Sequence, residues 1–202
     1  MDPSNASRYI AFQGGRRIAS GELKEVALAV RQAQAHEAQA PVLVFDEATS
    51  QLKELDLRGS AEQVLQRLAD PGGAPASPPA PRGPGRPRLG VVAREVTLLP
   101  RHWDWLNLQP GGASVALRKL VEDARRTSGG KDRARQAQEA CYRFMSALAG
   151  NQPGFEEATR ALFAGQQQRF EAELGAWPPD VAAHARQLAA AAFQAQGPGG
   201  AA

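Results

Sequence analysis

Sulfur, imidazole and unbroken apolar runs are all scarce in this chain, and each scarcity removes a class of protein. A single cysteine, Cys141, in 202 residues leaves no intramolecular disulfide and fits a reducing cytosol. Its neighbours Ala140, Tyr142, Phe144 and Met145 mark it as a buried small hydrophobe rather than a nucleophile. The 3 histidines, His36, His102 and His184, stand far apart without ligand-like neighbours, so no zinc cluster is expected. No Gly-Lys-Ser/Thr phosphate loop occurs. The carboxylate pairs Asp46–Glu47 and Glu156–Glu157 are adjacent, and adjacent residues on a helix do not face each other. No apolar run approaches the roughly 20 residues that span a bilayer. The first five residues lack the basic start and apolar core of a signal peptide. The resulting expectation is a soluble, cytoplasmic, non-enzymatic protein with no cofactor, no bound metal and no membrane partner.

Positive charge is present, and it is concentrated. Residues 1–81 carry 8 Lys/Arg against 10 Asp/Glu, residues 82–135 carry 12 against 5, and residues 136–202 carry 4 against 6. A net +3 chain therefore hides a strongly cationic middle, the footprint of a phosphate-contacting patch. A solvated face of surface arginines would give the same count.

Periodicity divides the chain into modules. Residues 7–69 read as a small ββαββα unit. Tyr9–Phe12 is a short strand, Gly14–Gly15 a hairpin turn, and 16–20 the returning strand. Leu23, Val26, Ala27 and Val30 repeat at helical spacing. Val42–Phe45 is a third strand, and Leu52, Leu55 and Leu57 lie in or beside a fourth. Ser60-Ala61-Glu62-Gln63 has capping-box spacing before a second helix. Such a unit makes one sheet covered on one face. Residues 70–90 form a basic Pro/Gly linker. Residues 91–127 read as strand, helix, helix: a strand over Arg94–Leu99, a helix opened by Pro100, and, after Gly111–Gly112, a second helix capped by Ser114. The second helix is expected to bury Val115, Leu117, Leu120, Val121 and Ala124. A break at Ser128-Gly129-Gly130 precedes a C-terminal helical region, 128–194, with helices over 131–149, 155–163, 166–174 and 179–193; 195–202 is expected to be a disordered tail. The expected fold class is α+β: a small N-terminal α/β unit, a Pro/Gly/Arg-rich linker, a strand-helix-helix unit and a mainly α-helical C-terminal region.

Two local patterns suggest contact with DNA. Pro84-Gly85-Arg86-Pro87-Arg88 resembles the second half of an AT-hook, in which proline holds the chain extended and arginines enter the negative minor groove of A·T-rich DNA. The pattern departs at Pro84, where the hook has Arg; Arg82 lies two residues farther out. Glu95–Pro100, the helix around Trp103–Leu108 and Gly112–Val121 resemble the ribbon–helix–helix DNA-binding proteins, in which two protomers pair strands into an antiparallel ribbon. That likeness implies a homodimer, with Ser114 and the amides of Val115 and Ala116 near a phosphate. Neither strand phase (Glu95, Thr97, Leu99 or Arg94, Val96, Leu98) offers an alternating polar reading face. Trp103 and Trp105 could stack on bases, but on a helix they lie about 200° apart, too far for one platform.

The expected nucleic-acid contacts are Arg82, Arg86, Arg88, Arg94, Arg101, Ser114, Arg118 and Lys119. The expected partners are duplex DNA and a second copy of the chain; a protein partner for a scaffold module is the alternative. The run Gly85–Leu106, with Pro110–Val121 and Tyr142–Gly150, resembles a bacterial family, the domain of unknown function 2239 group. The likeness implies a bacterial cytosolic protein and carries no reaction with it.

Overall fold

A computed structural model of the chain describes residues 7–36, 40–69, 92 and 94–196. Its packing divides into two units, one made of Met1–Pro71 with Gly130–Ala202 and one of Gly72–Gly129. The expected linker 70–90 and the tail beyond Gln196 lie outside the described residues.

The first unit is built on a three-stranded antiparallel sheet, in the order β2-β1-β3. Strands β1 (Arg8–Gln13) and β2 (Arg16–Glu22) form the hairpin expected at Gly14–Gly15, and Gly14 takes the positive φ, 55°, that a tight turn asks of glycine. A bulge interrupts the β1–β2 register between Ala11 and Phe12. Strand β3 (Val42–Asp46) pairs on the other side of β1, with Ile10 opposite Phe45 and Phe12 opposite Leu43. The expected fourth strand is reduced to an isolated bridge between Phe45 and Leu52. The Lys53 amide still donates to the Val44 carbonyl at 2.8 Å; beyond it the chain leaves the sheet, and Leu55 and Leu57 pack beside Val26 and Val30.

The two-residue period of β1 divides two cores. Ala11 and Val44 face Val26 and Val30 of α1 (Leu23–His36). Ile10, Phe12 and Phe45 face the opposite way, into a larger core supplied by the C-terminal helices. The sheet is thus covered on both faces, where one covered face was expected. Full burial of Ile10, Ala11 and Phe12 in succession is the signature of a strand buried on both sides. It also means that residues 7–69 and the C-terminal helices share one core instead of forming separate modules.

The helix α2 (Ala61–Ala69) begins with the capping box read from its sequence. The Ser60 amide donates to Gln63 Oε1 at 2.9 Å, and the Gln63 amide donates to Ser60 Oγ at 3.3 Å, satisfying two helix-end donors reciprocally. Two further helices, α3 (Pro100–Asn107) and α4 (Gly112–Ala149), follow. Helix α4 runs through the expected break at Ser128-Gly129-Gly130. Two glycines weaken a helix by only about 1 kcal/mol each relative to alanine, a penalty that the flanking turns outweigh.

The C-terminal core is assembled from α4, α5 (Phe155–Phe163), α6 (Gln167–Glu173), a 3-10 turn (Leu174–Ala176) and α7 (Pro179–Gln196). Cys141, Phe144 and Met145 from α4 meet Leu162, Phe170, Trp177 and the Val181, Ala185, Leu188, Ala192 face of α7. The Trp177 indole N–H donates to the Pro153 carbonyl at 2.9 Å, the partner a buried tryptophan needs. Sheet and helices also meet at the hairpin. The Arg17 amide donates to Asp180 Oδ2 at 2.9 Å. A Cβ on Gly15 would lie 2.7 Å from Pro178 Cβ, so the turn can dock at the start of α7 only if residue 15 lacks a side chain.

Candidate nucleic-acid interface

The second unit holds every described residue of the expected interface. Residues 94–99 form no strand. A ribbon needs a partner strand to take its amides and carbonyls, and no described segment pairs with them. Leu99 is extended, with ψ 149°, as the residue before a proline prefers. Pro100 then opens α3 at the position where its missing N–H costs nothing.

Helix α3 buries Leu106, leaves Trp103 half-buried and turns Trp105 to solvent at 51% exposure. The two indoles therefore diverge, as their spacing requires. The turn after α3 is closed by the Gly112 amide donating to the Gln109 carbonyl at 2.9 Å. Gly111 and Gly112 hold φ of 87° and 75°, so α4 starts two residues before Ser114. Ser114 lies inside the first turn and is not the cap. Its carbonyl instead accepts from Arg118 Nε at 3.0 Å.

The expected apolar stripe of α4 is uncovered. Val115 and Leu117 are half-buried, while Leu120, Val121 and Ala124 are exposed. Ala116, outside the stripe, is buried. Among the described residues of this unit, Leu106 and Ala116 are the only buried hydrophobics, whereas Val92, Val96, Leu99, Trp105, Leu108, Leu120 and Val121 are exposed. Leu117, Leu120, Val121 and Ala124 follow the i, i+3, i+4, i+7 spacing of one helix face. A contiguous apolar face of this kind ordinarily marks an interaction surface.

The cations sort into two groups. Arg94, Arg101, Arg118 and Lys119 are exposed and have no ion pair among the described residues. Arg125 reaches Glu122 at 3.4 Å, and Arg126 pairs with Asp123, one turn back on the same helix. Such exposed i,i+3 pairs are weak and screened by salt, so these arginines are only partly committed. Glu95, exposed beside Arg94, opposes phosphate. Arg82, Arg86 and Arg88 lie outside the described residues.

Burial pushes the Cys141 thiol up to about 12, so at neutral pH it stays protonated. Its Sγ lies 3.5 Å from the Ala185 carbonyl and 3.5 Å from Met145 Sδ. His102 is exposed on α3 and His184 is buried on α7. Glu157 is engaged by Arg160 and Arg169. No group of three or more His, Cys, Asp or Glu among the described residues is arranged to hold a metal. No helix there is long and apolar enough to cross a membrane.

Two packed units, an α+β core and a basic segment with an apolar face, define the architecture. The chain belongs to the bacterial family described as "Uncharacterized protein conserved in bacteria (DUF2239)", whose model matches residues 8–189. No curated protein and no solved structure matches the chain.

Proposed function

We propose that this protein is a non-catalytic, self-associating DNA-binding protein of the bacterial cytosol. In this reading two copies bring their 94–99 segments together as an antiparallel ribbon, in the manner of ribbon–helix–helix proteins. The same pairing covers Leu117, Leu120, Val121 and Ala124 of α4. Arg94, Arg101, Arg118 and Lys119 then face phosphate, the first-turn amides around Ser114 take one phosphate, and Arg82, Arg86 and Arg88 follow the minor groove. The observation that carries the reading is the uncovered α4 stripe on the segment that also holds four cations without ion pairs. Glu95 and the aliphatic side chains of the ribbon favour backbone contact over base readout.

The test is fluorescence anisotropy with a mixed-sequence duplex at 50 and 200 mM salt. The four cations Arg94, Arg101, Arg118 and Lys119 alone give a slope of about −3.6 in log K against log salt, so affinity should fall at least roughly 150-fold over this range. Replacing Arg94, Arg101, Arg118 and Lys119 by alanine should abolish most of that slope. Absence of any duplex binding at 50 mM salt would overturn the reading. The pairing of Arg125 and Arg126 with α4's own carboxylates favours a second reading, a protein scaffold in which the apolar stripe meets another protein. A nuclease-insensitive protein complex captured from lysate, with no duplex binding, would select it.

A further inference from the structure

His184 is the most deeply buried polar residue of α7, at 2% exposure. Neither Nδ1 nor Nε2 has a hydrogen-bond partner. Its ring stands edge-on to Phe144 of α4 with centroids 4.6 Å apart, and Phe12 of β1 lies 5.9 Å away. Phe12 and Phe144 also meet each other, at 5.2 Å. The imidazole therefore sits where sheet, α4 and α7 converge. Buried polar groups are normally satisfied, and a neutral ring enclosed by two phenyl rings is tolerated only while it remains neutral.

The polar groups that bear on the ring are few. Glu47, after β3, favours the charged form; so does the Gln187 side chain one turn along α7, which makes no hydrogen bond of good geometry to the ring but stands close enough to accept from a charged one; Arg17 on β2 opposes it. From α4 the nearest ring is Phe144, which carries no charge. Glu47 is already engaged by Arg8 at 2.9 Å, and Asp180 on α7 accepts the Arg17 amide. Among the described residues, Glu47 is the carboxylate that bears on the ring, and its pairing with Arg8 already offsets its charge.

We infer that His184 is an acid-sensitive latch: protonation of its imidazole expels it from its packing against Phe12 and Phe144 and loosens the sheet from the C-terminal helices. Desolvation by burial is the largest influence on this histidine and lowers its affinity for protons, consistent with the geometry. Well above pH 6.5 the ring is neutral in folded and unfolded chains alike, and its titration leaves stability unchanged. As pH falls below about 6.5 the unfolded chain takes up the proton first. Stability then falls by up to about tenfold in the folding equilibrium for each pH unit, until the folded form also protonates.

The experiment uses the full chain in an H36Q/H102Q background, so that His184 is the single titrating imidazole. Urea unfolding is followed from pH 7.5 to 5.0, together with the proton NMR titration of the ring. The latch requires a ring that stays neutral well below pH 6.5. It also requires a folding constant that falls toward tenfold per pH unit below that point, and a flattened slope in His184→Phe. A ring that titrates near 6.5 with no loss of folding constant would overturn it. So would an unchanged slope in His184→Phe. If His184→Phe does not fold, the ring titration and the hydrogen exchange of the Ala11 and Phe12 amides decide: exchange that accelerates on acidification beyond its intrinsic pH dependence supports the latch, and unaltered protection refutes it.

Discussion

Replacing Phe144 by alanine tests whether sheet and C-terminal helices fold as one body. The ring is fully buried and meets Phe12 at 5.2 Å, Phe45 at 5.5 Å and His184 at 4.6 Å. Truncating a buried phenylalanine costs about 3–5 kcal/mol through lost transfer energy and the cavity left behind. Loss of the ring pairs adds to this at about 0.5–1.5 kcal/mol each, so the upper half of the range is expected. A whole domain of this kind has about 5–15 kcal/mol to lose. At a urea dependence of about 2 kcal/mol per molar, the midpoint should fall by roughly 2 M. Two reporters separate the halves. Fluorescence of Trp177, buried among the helices, follows one side in a background with Trp103 and Trp105 replaced by phenylalanine. Hydrogen exchange at the β1 amides of Ala11 and Phe12 follows the other. Both should lose the same free energy, because Ile10, Phe12 and Phe45 belong to the core that Phe144 fills. Wild-type exchange at β1 alongside a shifted Trp177 transition would refute a shared core.

Two smaller changes test local geometry. Ser60→Ala removes the Ser60 Oγ acceptor of the Gln63 amide and should cost about 1 kcal/mol, read as a lower melting temperature with the α2 amides exchanging first; no change would mean that the cap contributes nothing. Ser50 holds φ 52°, with a buried hydroxyl that has no hydrogen-bond partner. Ser50→Gly relieves the left-handed backbone and the stranded hydroxyl at some expense in unfolded-chain entropy, and should stabilise by about 1 kcal/mol. A lower melting temperature would show that the serine side chain has a role in packing.

Local rules spoke clearly at some places. The Gly14–Gly15 hairpin, the Ser60–Gln63 box, the Pro100 start of α3 and the span of α5 all depend on neighbours within a few residues, so their residue types suffice. Non-local outcomes were less legible. The short apolar run Tyr9–Phe12 marks a strand but does not say that residues 141–192 will cover its second face. Leu52 and Leu55 have strand-like composition, yet ladder hydrogen bonds also need a register, which they find at one bridge alone. Gly129–Gly130 looks like a stop, but a long helix absorbs it. At the candidate interface, charge singled out Arg94, Arg101, Arg118 and Lys119, and all four are exposed. The helical spacing of Leu117, Leu120 and Val121 marked a stripe without saying whether the chain itself would cover it. His184 stands alone in the sequence, and its packing against Phe12 and Phe144 is visible only in three dimensions.

The sharing of one core by the first fifty residues and the last sixty has a consequence for synthesis. Ile10, Phe12 and Phe45 leave the ribosome well before α7, the helix that helps cover them. At about 5–20 residues per second the bare sheet face waits on the order of ten seconds for its cover. During that wait the nascent chain presents an apolar, strand-forming surface to its surroundings. Folding of this unit is therefore completed only once α7 has emerged, and truncated products ending before α7 should be handled by chaperones and proteases as unfinished chains.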